Sequence, residues 1–567
     1  MAKTGRDYFD YRLEQMRSER SSWTTHWRQL NQNFQPRRGK FDTSDTNKGN
    51  KRNQLSNNTP LFAKRVLRAG MMTGATSPAR PWFKLGPPDP DMADFGPVRG
   101  WLDDVQDVLY RVFASSGLYR ALPSIYEECG TIGQGVMLQE EDFENVTRFT
   151  VFTVGEYMLD INGKNVVDTF AREYQQTVHQ LVSKFGLENC SNNIQQLYAT
   201  GNLSSRFEIR HIIEPNDKPV DGIPRLNDFA FRSVYYETGN RAGFNQYLSV
   251  KGYHEFPVLC PRWDTKPGDT YGICPGMDAL GDAFALQVQE KEKGKAVAKM
   301  VSPPTTAPSA LRNTQVSLLP GANNFTDDPN NVFKAIYQIN PRVEHLAEDI
   351  RRTEDRINRA FYVDMFLMIQ NDNRNQRATA TEIAEKHEEK LLQLGPVLEN
   401  LNDELLDPII NRTFNMLVRA SQPGWDGFTD KMMIPPPPPE LENVELRVEY
   451  TSILAQAQKM VATSAVERWV GFVGNMAAIP GNEDVTDKIN ADEIADLMAR
   501  DLGVPNAAVH TDDEAAEKRE ARAAAVQRQQ MSEQAASMAD SAKVLSETET
   551  TGNSVLSDIV SGGGIGG

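Results

Sequence analysis

Two long amphipathic helices separated by a proline-rich insertion constrain this chain more than any other feature of its sequence. The first helix is predicted over residues 278–300, where Asp278 can cap the first turn and Pro303 lies just beyond the last. Proline stops a helix because it lacks a backbone N–H and restricts the residue before it. An insertion with six prolines, residues 302–341, precedes a second helix over residues 342–366. Helix, insertion and helix predict a stalk that presents the insertion at its tip.

The second helix repeats apolar side chains at three- and four-residue steps, which is the pattern of one buried helix face. Arginines and acidic residues take its other faces. At 1.5 Å per residue, both helices would be roughly 35 Å long. The residues that we expect to pack this stalk are Val343, Leu346, Ile350, Ile357 and Phe361.

A stretch with almost no apolar side chain, residues 369–377, follows the second helix. Its amides and arginines can bond to a ligand. The candidate contact residues of this loop are Gln370, Asn371, Asn373, Arg374, Asn375, Gln376 and Arg377.

A long helix is predicted after this loop, within residues 380–434. Thr379 and Glu382 have the spacing of a capping box, in which each side chain satisfies an N–H of the first turn. One apolar stripe then continues past Pro396 and Pro408. Because a proline inside a helix removes one backbone hydrogen bond, we expect the helix to be kinked there.

The rest of the chain predicts an α+β protein that is mainly α-helical. Alternating apolar residues indicate antiparallel strands between residues 135 and 258, with a hairpin at Asn162-Gly163. Five prolines at 435–439 indicate a semi-rigid spacer, and the tail 546–567 is expected to be disordered. Further helices are predicted at residues 6–34, 59–74, 98–113, 119–130, 175–185, 449–477, 491–502 and 513–545.

Charge and composition exclude several classes of protein. The net charge of −16 argues against tight phosphate binding, which needs many Lys or Arg contacts. No run of 18 apolar residues could span a membrane, and the N-terminus lacks the apolar core of a signal peptide. The four cysteines lack metal-ligand spacing, so we expect thiols in a reducing compartment and no metal site. The basic loop after Pro36 can be a solvated segment or a nucleic-acid contact.

Sequence motifs of catalysis are also missing. The glycines at 130, 133 and 135 match neither a Walker loop nor a dinucleotide fingerprint. No serine lies in a Gly-x-Ser-x-Gly context. We therefore expect no catalytic residue, no cofactor and no enzymatic activity. An acidic chain could still surround DNA without holding it tightly.

Four motifs, in this order along one chain, resemble a known family. They are Arg20-x-x-Trp23-x-x-x-Trp27; Ala79-Arg80-Pro81-Trp82-Phe83-Lys84-Leu85; Tyr157-x-x-Asp160-x-x-Gly163 with Asp168-Thr169-x-x-Arg172; and Arg377-Ala378-Thr379-Ala380-Thr381-Glu382-Ile383. Over most of residues 6–480 the chain resembles the head-to-tail connector, or portal, proteins of short-tailed bacteriophages.

This resemblance implies a portal fold of wing, stem, clip and crown, assembled as a ring around a DNA channel. The family forms dodecamers. Their partners are double-stranded DNA, the terminase, tail adaptor and tail tube proteins, and capsid and scaffolding proteins. The implied location is the virion, at the head–tail junction of one capsid vertex, after synthesis in the bacterial cytoplasm. The implied parts are wing 1–277, stem helix 278–301, clip 302–341, stem helix 342–366, tunnel loop 367–379, kinked wing helix 380–434, C-terminal wing and crown helices 435–545, and tail 546–567.

Simple geometry agrees with such a ring. Twelve helices side by side at roughly 10 Å spacing have a centre line about 38 Å across and leave a bore of about 28 Å. A B-form duplex passes through an opening of that width. Head-to-tail closure also needs two different faces on each subunit, which suits an elongated chain of several parts.

Two other functions stay open. Another virion structural component, such as a tail adaptor or an internal scaffold, would share the acidic, helical composition. A DNA-packaging enzyme such as a terminase subunit is the alternative of a different class, and the missing Walker loop weighs against it. The polar loop also has a second interpretation, as an external loop whose arginines pair with nearby carboxylates.

Overall fold

A computed structural model describes most of the chain. Its described residues are 5–41, 55–87, 96–217, 226–240, 247–301, 343–371, 393–421, 434–441, 447–477, 488–501 and 512–547, with short pieces at 220, 223, 305–306, 309, 334–335 and 485. The chain divides into two compact units, Met1–Thr486 and Asp487–Gly567.

Helices make up most of both units. Those of the first unit's N-terminal half are α1 Arg6–Phe34, α2 Thr59–Gly74, α3 Gly96–Ser115, α4 Leu118–Ile132, α5 Val178–Phe185 and α6 Asn192–Ala199. Those that follow are α7 Pro275–Asp278, α8 Leu280–Val301, α9 Val343–Ala360, α10 Val363–Asn371, α11 at residues 393–401, α12 Asp407–Ala420 and α13 Ile453–Ala477. The second unit contains α14 Ala491–Asp501 and α15 Asp512–Glu547.

Antiparallel strands form two sheets and two short pairs. The strands are β1 Phe83–Gly86, β2 Val136–Asp142, β3 Val146–Phe152, β4 Tyr157–Ile161, β5 Val167–Thr177, β6 Arg206–Pro215, β7 Phe231–Glu237, β8 Ser249–Tyr253, β9 Val258–Leu259, β10 Thr305–Thr306, β11 Lys334–Ala335 and β12 Arg447–Tyr450. One sheet has the order β3-β2-β9 and the other β4-β5-β6-β7-β8, while β1 pairs with β12 and β10 with β11.

Both faces of the five-stranded sheet are covered. On one face, Phe9 and Leu13 of α1 pack against Met158 and Val234. On the other, α5 and α6 pack over Ile209 and Tyr235 in a separate cluster. The main core joins the remaining helices of the first unit to the three-stranded sheet. The predicted α+β, mainly helical fold is therefore confirmed for the described chain.

Several predicted elements agree with the structure, including α1 over residues 6–34 and the β4–β5 hairpin. Trp23 and Trp27 stack at 6.1 Å in the core, as expected. The helix predicted at 175–185 begins only at Val178, because β5 continues to Thr177. Thr177 and Gln180 form a capping box that starts the helix there.

The long helix predicted within 380–434 also differs in detail. The described part is α11, a π-helical turn at Asn402–Leu406, and α12, which ends at Ala420. Pro408 lies in the first turn of α12, directly after the wide turn. The interruption predicted at this proline is thus present as a π-helix, a known insertion inside α-helices. The capping box predicted at 379–382 lies outside the described residues.

At the C-terminal side, the helix predicted at 449–477 begins at Ile453, because residues 447–450 form β12 against β1. In the second unit, Arg519 of α15 pairs with Asp492 of α14 at 2.5 Å. Within the described ranges, no helix is long and apolar enough to cross a membrane, and no cluster of His, Cys, Asp or Glu could hold a metal ion. All four cysteines are free and buried.

Candidate functional site

The stalk predicted from the sequence corresponds to the pair of helices α8 and α9. Its predicted start is wrong, because Asp278 is the last residue of α7 and α8 begins at Leu280. Helix α8 ends at Val301 and α9 begins at Val343, and the strands β10 and β11 of the insertion between them pair with each other. Arg356 of α9 joins the two helices by donating to Asp282 of α8, with Nη2 at 2.8 Å and Nε at 2.9 Å from the same oxygen. This hydrogen bond and the charge of Asp282 raise the pKa of Arg356.

The predicted packing stripe of α9 faces the core of its own chain. Ile350, Ile357 and Phe361 are buried, and Leu346 is half-buried against them. The ring of Phe361 lies 5.3 Å from that of Phe34 at the end of α1. Val343 is the first residue of α9. Leu346, Ile350, Ile357 and Phe361 therefore anchor the stalk to the rest of the subunit.

A short segment before α2 ties α8 and α9 together. The Gln287 side chain of α8 accepts hydrogen bonds from the backbone N–H of Ser56 and of Asn57, at 2.7 and 3.1 Å, and donates to the Asn57 carbonyl at 2.9 Å. The Asn57 amide then donates to Glu290 of α8 at 3.3 Å and to Glu354 of α9 at 2.7 Å. One asparagine thus bonds to both helices.

The second stalk helix is shorter than the sequence predicts. A continuous helix was expected over 342–366, but α9 ends at Ala360 and α10 starts at Val363. Tyr362 lies between them with a φ of +54°, in the left-handed region. This backbone conformation is favoured by glycine and asparagine, so a tyrosine in this position gives no sequence signal of a helix end.

Helix α10 packs very closely against α2. A Cβ added at Gly70 of α2 would lie 2.1 Å from Cδ1 of Phe366, which is fully buried. One turn later, a Cβ at Gly74 would lie 2.8 Å from Cγ of Leu454. The two glycines therefore let α10 and α13 approach the α2 backbone.

The first residues of the predicted polar loop are helical. Helix α10 continues to Asn371, so Gln370 and Asn371 belong to its last turn and not to a loop from residue 367. The helix continues because residues 363–369 are apolar enough to pack, as Val363, Met365 and Phe366 do. Five candidate contact residues lie outside the described residues: Asn373, Arg374, Asn375, Gln376 and Arg377.

Sequence reasoning missed the polar link at Asn57 and the glycine contact at Gly70. The first joins residues about 230 and 297 positions apart in sequence, so no local pattern reveals it. The second had one possible signal, since Gly70 and Gly74 share a helix face four residues apart.

Comparison with known proteins identifies the family of this chain. The family model described as "Bacteriophage head to tail connecting protein" matches residues 6–509. The chain belongs to this family.

Two curated relatives of this connector align along nearly their whole length. The portal protein of Salmonella phage epsilon15 is 39% identical over 568 residues, covering 100% of this chain and 99% of the relative. The probable portal protein of Bordetella phage BPP-1 is 40% identical and covers 97% and 96%. The structural match to a chain in the virion of a native gene transfer agent particle covers 79% of the connector and 91% of the other chain. Its sequence identity is 10% and its TM-score 0.36.

Within the described part of this connector, several residues of the first three motifs make structural contacts. Arg20 of α1 donates to the carbonyls of Gly155 and Tyr157, both at 3.0 Å, and so fixes α1 to the start of β4. Arg12 pairs with Asp160 at 3.0 Å. The indole of Trp82 is fully buried and donates to the Tyr119 hydroxyl at 3.2 Å.

The basic loop after α1 is partly neutralised by the connector itself. Arg38 lies 3.5 Å from Glu128 and 3.7 Å from Glu127 on α4, and Lys40 lies 2.8 Å from Glu156. Lys64 of α2 also pairs with Glu127, at 2.6 Å. Burial raises the pKa of Glu128, although Arg38 opposes the shift. These two basic residues of the loop therefore contact α4 and the turn before β4. Residues 42–54 of the loop lie outside the described residues, and the two interpretations offered from the sequence stay predictions there.

Proposed function

We propose that this connector is the portal of a tailed bacteriophage: a closed ring at one capsid vertex through which DNA is packaged and later ejected. The observation that supports the proposal most strongly is the 39% identity to a portal protein along the whole of both chains. In this role the protein is a conduit without catalytic residues or a cofactor, and it resides in the virion.

The parts of the chain take the roles that the family resemblance assigns. Helices α8 and α9 are the stem, and the insertion 302–341 is the clip that docks the terminase and then the tail proteins. Residues beyond α10 form the tunnel loop, with Arg374 and Arg377 facing the passing duplex. The helices from residue 435 onward complete the wing and crown, and capsid and scaffolding proteins contact the outer parts.

The charge of the chain suits a channel that must not hold DNA. A duplex carries one negative charge per about 1.7 Å of its axis, so a strongly basic wall would bind it tightly. The net charge of −16 leaves the loop arginines as narrow basic belts on an acidic background. Weak phosphate contacts of this kind orient the duplex without reading its sequence.

Ring closure requires surfaces that a single chain leaves uncovered, and α8 provides one. Its exposed apolar side chains include Val288, which is 60% exposed, and Val301, which is 81% exposed. Phe284, one turn before Val288, is 42% exposed. Since the buried stripe of α9 already packs inside its own chain, we assign the contact with the next subunit to the face of α8 that carries Phe284 and Val288.

The assignment is tested with matched valine substitutions. Val288→Asp should leave the folded subunit intact, because the side chain is already in water, but should reduce ring assembly by placing a charge in an apolar contact. Val166→Asp is the control, since Val166 is also exposed, at 53%, but lies in the β4–β5 turn.

Light scattering of the two purified variants gives the mass of the assembled species. The proposal predicts a ring for Val166→Asp and subunits or small oligomers for Val288→Asp. Normal rings from both variants would exclude α8 from the contact. If the wild-type protein itself gave nothing but single subunits, that result would contradict the ring.

A further inference from the structure

A cluster of hydrogen-bond donors without acceptors lies on one face of the five-stranded sheet. Arg172 of β5, His211 of β6 and Tyr235 of β7 are directly opposite one another in register. The rings of His211 and Tyr235 stack at 3.6 Å and 9°. Tyr174 follows Arg172 by two positions and so points to the same face.

Two cations of this cluster have aromatic neighbours but no carboxylate partner. The guanidinium of Arg172 lies 4.6 Å from the ring centre of Phe152 and 4.1 Å from that of Tyr174. The ammonium of Lys184 lies 4.7 Å from the ring centre of Tyr235. Among the described residues, neither cation forms an ion pair. This is unusual for Arg172, which is only 8% exposed, because buried charges are normally paired.

Other polar atoms of the cluster are also unsatisfied. The hydroxyl of Tyr235, Nε of Arg172 and Nδ1 of His211 are enclosed and have no hydrogen-bond partner. The hydroxyl of Tyr174 lies beside Arg172, from which it can accept, but has no acceptor for its own proton. The other ring nitrogen of His211 is bonded to Ser233 at 2.9 Å. A buried polar group without a partner costs free energy, so three unpaired donors in one place call for an acceptor.

The rim of the cluster is predominantly positive. Arg148 of β3 and Lys251 of β8 are exposed near Lys184. Two carboxylates lie nearby: Glu140, 3.7 Å from Arg148, and Glu156, whose charge also acts on Tyr174. Burial lowers the pKa of Lys184, and the charges of Arg172, Arg148 and Lys251 lower it further against the opposing effect of Glu140. The donors therefore lie where an incoming anion would relieve both the unpaired groups and the crowding of cations.

We propose that this cluster, the Arg172–Tyr235 site, receives a carboxylate from an acidic segment of a protein partner. Arg172 and Lys184 would supply the charge, and the two tyrosine hydroxyls would donate hydrogen bonds to the carboxylate oxygens. Charge-assisted hydrogen bonds of this type are shorter and stronger than neutral ones.

A protein carboxylate fits the site better than DNA does. Duplex binding uses a basic stripe that follows many phosphates, whereas these donors form one cluster on an acidic chain. Glu140 at the rim would also repel a dense line of phosphates more than it would repel one inserted side chain. The inference concerns the sheet of a single subunit, so it does not depend on ring assembly.

The test uses the purified full-length protein and a labelled oligoglutamate peptide, with binding followed by fluorescence anisotropy. Tyr235→Phe removes one unpaired hydroxyl and keeps the ring, so it should fold normally yet bind the peptide about tenfold more weakly, the effect of losing a hydrogen bond to a charged group. Lys184→Gln, at an exposed position, should show a similar loss. Lys164→Gln, an exposed lysine in the β4–β5 turn, is the matched control and should bind like the wild type.

Three outcomes would overturn the proposal. The first is a wild-type protein that does not bind the peptide, which would leave only water as the partner of these donors. The second is equal binding by all variants, which would place the contact elsewhere. The third is that Tyr235→Phe and Lys184→Gln weaken the binding of a short duplex DNA but leave the binding of the peptide unchanged, which would make this a nucleic-acid site.

Discussion

Gly70→Ala should loosen α10 from α2, and the geometry sets the size of the effect. The added Cβ would lie 2.1 Å from Cδ1, 2.2 Å from Cγ and 2.5 Å from Cβ of Phe366. Carbon atoms in contact normally stay about 3.5–4.0 Å apart, so Phe366 must move by roughly 1.4 Å or more. Because its own Cβ is involved, a change of side-chain rotamer cannot relieve the overlap, and the α10 backbone has to shift.

The expected cost follows from two opposing effects. Overpacking a close-packed core costs about 1–3 kcal/mol. Replacing a helical glycine by alanine recovers about 0.5–1 kcal/mol, since alanine loses less backbone freedom on folding. We therefore expect a net local destabilisation of about 1–2 kcal/mol. Phe366→Ala alone should cost about 3–5 kcal/mol, but the double variant should cost less than the sum, because alanine at 366 makes room for alanine at 70.

Amide hydrogen exchange is the suitable assay, because a chain of two units need not unfold in one step and exchange reports local opening. Faster exchange is expected in α10 and the facing turns of α2 for Gly70→Ala. Gly294→Ala is the control: it makes the same substitution within α8, where nothing lies within 4 Å of the new Cβ. Two results would contradict the reasoning. The amides of α10 could exchange as slowly in Gly70→Ala as in the wild type, or the cost of the double variant could equal the sum of the two single costs. Either result would show that this contact does not hold α10 in place.

Three further predictions concern other parts of the chain. Deleting residues 307–330 should leave rings intact and abolish terminase or tail-protein binding in a pull-down, and undiminished binding would exclude the clip as the docking tip. Arg374→Ala with Arg377→Ala should keep the ring but lower retention of packaged DNA, measured as genome length in particles; full-length, stably retained genomes would show that this loop does not act on DNA. Burial, with the charges of Arg172 and Lys184, lowers the pKa of His211 well below its usual value. As pH falls, His211 is therefore protonated in the unfolded chain before it is protonated in the folded one. Wild-type stability should then decrease below about pH 6.5, by up to about 1.4 kcal/mol per pH unit, relative to His211→Gln. Identical pH profiles of thermal unfolding for the two proteins would contradict this.

Elements with strong periodicity could be predicted from the sequence. Helix α1 and the β4–β5 hairpin agree because their patterns are local: one apolar stripe in the first, alternation around Asn162-Gly163 in the second. The presence of two helices, α8 and α9, around the insertion could also be predicted, since Pro303 and the three- and four-residue spacing of apolar side chains in α9 are local signals.

The details of the candidate site could not be predicted in the same way. The break at Tyr362 depends on a backbone conformation that its residue type does not favour. The apolar stripe predicted on α9 includes side chains that are buried in the structure, but the sequence could not tell whether Ile357 faces its own core or a neighbouring subunit. The bonds of Asn57 to Gln287 and Glu354 join distant parts of the chain, and only the folded structure brings them together.

Direct imaging of the purified full-length protein tests the central claim most simply. Negative-stain electron microscopy should show closed rings with a central hole wide enough for a B-form duplex, about 28 Å if twelve stem helices line it. Val166→Asp should give the same rings and Val288→Asp should not. Rods, or single subunits at every protein concentration tried, would contradict the portal assignment.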